Sequence, residues 1–129
     1  MSRQLRIRYF VQNILGCTCP GKVFEQIADK PVAPLSSPHT RSITIGGRLL
    51  VYIWYVEGAD KFKENFFVML EAGRKERDEK GLNRFRAVLA VDGMLQHLAI
   101  EATSYFSQYV GKDGRIHFHV VPSENLKNV

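Results

Sequence analysis

The chain has 129 residues, 45% hydrophobic and 24% charged, which suits one soluble domain with a real core and is too short for two ordinary ones. Eighteen basic against thirteen acidic residues leave a net +5, a mildly basic balance that permits anions or nucleic acid without specifying them. No stretch reaches the ~20 apolar residues of a membrane span, the start Met1-Ser2-Arg3-Gln4-Leu5-Arg6-Ile7-Arg8 lacks a signal's apolar run, and two cysteines make no disulfide framework.

Leu5, Ile7, Tyr9 and Val11 alternate with Arg6, Arg8 and Gln12, a period of two that predicts a half-buried strand. After Gly16 a short helix is expected from Pro20 to about Ala28, with proline at its favoured first position and Val23, Phe24 and Ile27 as its stripe. Lys30 to Pro38 holds three prolines and reads as a connection. Two apolar segments, Ile43–Ile45 and Leu49–Val56, flank Gly46-Gly47. That spacing signals a hairpin whose turn needs positive φ, with the second arm a central strand because it is apolar on both faces.

Asp60 caps an expected helix to about Lys80, with Phe62, Phe66, Phe67 and Leu70 inward and a solvated charged end, Arg74 to Lys80, closed by Gly81. Arg84 to Val91 is the next strand. Asp92 caps a helix from Gly93 to about Val110, striped by Leu95, Leu98, Ala102, Tyr105, Phe106 and Tyr109. A turn at Gly111 to Gly114 leads to a last strand, Arg115 to Val121, ended by Pro122. The expected organisation is one α+β domain over 1–122 with a loose polar tail over 123–129. Its first six elements follow the ferredoxin-like split βαβ order (βαββαβ), with an added C-terminal helix and strand. The alternative is an open α/β sheet, thioredoxin-like or doubly wound, against which the Gly46-Gly47 hairpin argues.

The chemistry concentrates in Gly16-Cys17-Thr18-Cys19-Pro20-Gly21. A helix N-terminus offers unpaired N–H groups and positive dipole to a sulfur, and the thiolate that results binds metal or attacks disulfides. Cys19 is the more activated sulfur on this placement and Cys17 its partner. Together they would hold one soft ion, zinc or copper(I), or close a small reducible disulfide; buried apolar filler is the plain alternative. His117 and His119 share one face of the last strand. They complete a Cys₂His₂ set if that strand lies near the cysteines, and otherwise sit on a solvated face.

Arg6 and Arg8, and likewise Arg84 and Arg86, pair on strand faces, with Phe10, Tyr52 and Trp54 as candidate stacking residues for an RNA-binding sheet. No RNP-like stretch accompanies them, so core packing and solvation explain them without RNA. No nucleophile elbow, phosphate-cradling lysine loop or H-E-x-x-H pair is present.

Over residues 5–91, Gly16-Cys17-Thr18-Cys19 in a first strand-to-helix turn, with that element order, resembles heavy-metal-associated domains. Those domains are ferredoxin-like and carry Gly-Met-Thr-Cys-x-x-Cys in this loop. Gly16, Thr18 and Cys19 match, Cys17 replaces the methionine, and Lys22 stands at the second cysteine. The resemblance implies a soft-metal thiolate site. The expectation is a small cytoplasmic thiol protein for metal binding or dithiol/disulfide exchange, its partners a soft metal ion or a thiol protein. A non-enzymatic homodimer and an RNA-binding sheet are the alternatives, and no membrane partner is expected.

Overall fold

Ile7, Phe10 and Val11 recur at helical spacing and are buried. In a computed structural model that describes residues 3–16, 25–31, 40–56, 62–91, 97–111 and 114–126, they form a helix, α1 (Arg3–Tyr9), which continues into a π-helical turn, Phe10–Ile14. The strand expected over Leu5 to Val11 is thus corrected. Periods of two and of 3.6 share Ile7 and Val11, and Phe10 separates them: it is fully buried, whereas Tyr9 is 58% exposed. Leu15 N donates to Phe10 O at 3.0 Å, the longer step of π geometry. Gly16, at φ 74, ends the element.

The strand β1 (Ile27–Pro31) replaces the end of the helix expected to Ala28 and the first two residues of the Lys30–Pro38 connection. Ile27 and Ala28 pair with Ile45 and Thr44 of β2 (Thr40–Ile45), and sheet pairing here overrides a short local pattern. Pro31 closes an edge strand, where a missing N–H costs least. Residues 17–24, among them the first five of that expected helix, lie outside the described residues.

Gly46 and Gly47, at φ 60 and 65, turn the chain from β2 into β3 (Leu49–Tyr55) as the Gly-Gly pair predicts. The middle position of β3 in the sheet matches its burial on both faces from Leu49 to Trp54. The next helix, α2 (Phe62–Glu79), buries Phe62, Phe66, Met69 and Leu70, and Gly81 at φ 65 follows its last turn. Its charged end departs from the solvated reading, because Arg77 is 2% exposed and Glu76 turns toward the sheet.

The strand β4 (Arg84–Val91) follows, then α3 (His97–Val110), which buries Leu98 and Ala102, and β5 (Ile116–Pro122). Asp60, Asp92, Gly93 and Leu95 lie outside the described residues. A 3-10 turn, Ser123–Leu126, buries Leu126, so the segment expected as a loose tail is anchored this far.

The class is α+β, with one mixed five-stranded sheet in the order β1-β2-β3-β4-β5. The first three strands are antiparallel neighbours, while β3, β4 and β5 run parallel, each pair joined through a helix as parallel pairing requires. This consecutive order departs from the split βαβ plan, since the segment assigned to its first strand is helical. One face packs Tyr52, Phe85 and Leu89 against Phe66 of α2 and Leu98 of α3. The other packs Ile43, Val51 and Val88 against Ile7 and Phe10. Helices therefore cover both faces.

Candidate functional site

Arg84 and Arg86 occupy alternate positions of β4, and His117 and His119 alternate positions of β5. Alternation sends all four to the sheet face that α1 covers, with Val88 and Val121 continuing the two rows into the core. Parallel pairing sets Arg86 level with His117, and each arginine reaches one step along the neighbouring strand. Arg84 Nη1 lies 2.8 Å from His117 Nε2, and Arg86 Nη1 lies 2.9 Å from His119 Nε2. A guanidinium only donates, so each imidazole accepts at Nε2 and carries its proton on Nδ1.

The charges agree with neutral rings. Burial, then the Arg86 and His117 charges, pull the His119 imidazole down to about 4. Burial followed by Arg86 and Arg84 lowers His117 in the same direction. Burial and the Arg84 charge also lower Arg86 from its usual value. These causes share one sign: desolvation and positive neighbours acting on bases.

Arg86 Nη1 also donates to the Leu15 carbonyl at 3.2 Å. This bond ties β4 to the end of the α1 segment, two residues before Cys17 in the chain. Cys17 and Cys19 themselves lie outside the described residues. The described structure thus brings the predicted histidines together with the Arg84/Arg86 pair and holds Leu15 beside them. It does not leave His117 and His119 on a merely solvated face, as both are half-buried. Their Nε2 atoms already accept from arginine, and a cation among them would meet two guanidinium charges. Among the described residues, no three His, Cys, Asp or Glu side chains group to hold a metal ion.

The stacking residues proposed for RNA are elsewhere. Phe10 is fully buried under one sheet face, while Tyr52 and Trp54 are core residues of the other. With both faces covered by helices, no open sheet presents them to bases.

A second polar group sits under α2. Tyr52 OH donates to Glu76 Oε1 at 2.6 Å, Ser42 Oγ donates to Glu76 Oε2 at 3.2 Å, and Lys80 Nζ donates to the same oxygen at 2.8 Å. Burial first, and the Glu76 carboxylate second, push the Tyr52 phenol well above its usual value, so it stays a donor. The carboxylate is matched by three donors and ties α2 to β2 and β3. Sequence reading missed this network because Glu76 lies in a run of charges. The Arg/His ladder had a signal, R-x-R on one strand and H-x-H on the next, but only strand adjacency joins them.

No protein-family model, curated protein or solved structure matches this chain. Among the described residues, no helix is long and apolar enough to cross a membrane.

Proposed function

We propose that this chain is a small thiol protein in which Cys17 and Cys19 carry out dithiol/disulfide exchange. The supporting observation is the Arg86 hydrogen bond to the Leu15 carbonyl. The Cys17-Thr18-Cys19 segment begins two residues beyond that carbonyl. A guanidinium near a thiol favours the thiolate, and a neutral imidazole such as His119 accepts a proton more readily than a charged one.

In the exchange, one thiolate attacks a sulfur of a partner disulfide, and the partner's S–S bond breaks with release of one partner thiolate. The second cysteine then attacks the mixed disulfide. Cys17 and Cys19 end joined and oxidised, and the partner leaves as a reduced dithiol. The same pair would hold zinc or copper(I) in the reading suggested by the heavy-metal-associated resemblance.

Alkylation rates measured against pH test this reading. At least one thiol is expected to titrate below the ordinary value of about 8.5, and Arg86→Gln should raise it. Native mass spectrometry then separates the two chemistries. Oxidation removes the mass of two hydrogens, whereas metal capture adds an ion that Cys17→Ser/Cys19→Ser loses. Ordinary thiols unmoved by Arg86→Gln would sink the exchange proposal.

A further inference from the structure

Several cations of α2 and the neighbouring turn are matched with acids, while Lys63 stands over the Tyr105 ring. Arg77 and Arg115 reach Asp78, Arg74 reaches Glu71, Lys75 reaches Glu79, and Lys80 reaches Glu76. The opposite face differs. Among the described residues no carboxylate pairs with Arg84 or Arg86, whose Nη1 atoms donate only to two neutral imidazoles and a backbone carbonyl. The two arginines are two residues apart on one strand, a backbone spacing of about 7 Å, and among the described residues neither has an acidic partner. The Arg86 Nε is shut off from solvent and has no acceptor among the described residues. Unused donors and uncompensated charge in a partly desolvated setting are what a built anion site requires.

The patch is also bounded. Val88 and Ala90 continue the arginine row into the core, and Val121 continues the histidine row. Charge is thus confined to one end of two strands and does not run on as a stripe. Phe10, Tyr52 and Trp54 are buried and do not stack bases beside it.

We propose that Arg84, Arg86, His117 and His119 form a binding site for one tetrahedral oxyanion, a phosphate or sulfate group borne by a small ligand. The arginine forks hold its oxygens, and the two imidazoles, accepting from Nη1, keep the forks in place. The lowered basicity of both histidines agrees with this orienting role. The site goes beyond the thiol reading and does not depend on it.

Calorimetric titration of the full chain with inorganic phosphate and with sulfate, at constant ionic strength and with acetate as control, tests the site. Saturable binding of phosphate or sulfate in preference to acetate is expected. It should persist in Cys17→Ser/Cys19→Ser, even if the thiol reading fails. Arg84→Gln, at an exposed position, should weaken it about tenfold or more, and Arg74→Gln should not change it. Arg86→Gln should act similarly, with circular dichroism confirming the fold because this side chain also holds Leu15. Phosphate binding no tighter than acetate, or affinity unchanged in Arg84→Gln, overturns the site. Binding of random RNA with a steep salt dependence and no phosphate saturation overturns it also and assigns the patch to nucleic acid.

Discussion

Gly73→Ala tests the central packing between helix and sheet. Gly73 is buried on the sheet side of α2, and a Cβ there would lie 2.0 Å from Phe85 Cζ and 2.4 and 2.5 Å from the adjoining ring carbons. The ring cannot slide away freely. Phe85 is fully buried and stands edge-on to Tyr52, centroids 5.3 Å apart, and the Tyr52 hydroxyl is held by Glu76. Overpacking of this kind costs roughly 1–3 kcal/mol, here at the upper end. Alanine returns about 1 kcal/mol of helix propensity. The net loss is about 2 kcal/mol, or roughly 6–10 °C in Tm at this chain length. Thermal and urea unfolding followed by circular dichroism measure it. Gly73→Ala/Phe85→Leu should recover part of the loss, since the two positions touch and their effects do not add. A Gly73→Ala protein melting at or above wild type would refute the contact, and with it the placement of α2 on β4.

Three further outcomes follow from the same geometry. His119 is lowered in the folded protein to about 4 from an unfolded value near 6.5, so below pH 6.5 the unfolded chain takes a proton that the native ring refuses. Stability is therefore full above about pH 6.5 and falls toward pH 4; the full gap corresponds to about 3 kcal/mol, and screening of the half-exposed ring reduces it to about 1–2. Urea midpoints at several pH values should show a shallower acid loss in His119→Asn, and parallel curves would exclude the effect. Tyr52→Phe removes a 2.6 Å donor from Glu76 and should cost about 1–2 kcal/mol by urea unfolding; no loss would mean that the carboxylate is satisfied without this donor. Phe10→Ala should cost about 3–5 kcal/mol and Tyr9→Ala less than about 0.5, because the helix buries Phe10 and leaves Tyr9 exposed. A strand at this position would reverse the order.

Elements whose identity rests on neighbours in the chain could be read from residue order alone. Gly46-Gly47 demands positive φ whatever surrounds it. Phe62, Phe66 and Leu70 mark a helix stripe, and the apolar run of β3 marks a strand buried on both sides. Ambiguity began where two periods fit equally. Ile7 and Val11 serve a strand or a helix, and Phe10 became decisive only once the sheet gave it a surface to pack on. Ile27 and Ala28 needed β2 beside them to be a strand.

The four residues of the oxyanion site were visible as two separate pairs, Arg84 with Arg86 and His117 with His119. Their meeting depends on β4 and β5 being parallel neighbours, which no local pattern encodes. Strand order is settled by which apolar faces α1, α2 and α3 can cover together. That is a competition among contacts distant in the chain, whereas turns and stripes answer to backbone sterics and residues a few positions away. Composition and local pattern thus settled an α+β class and most element boundaries. The fold alone set two guanidinium groups beside two neutral imidazoles.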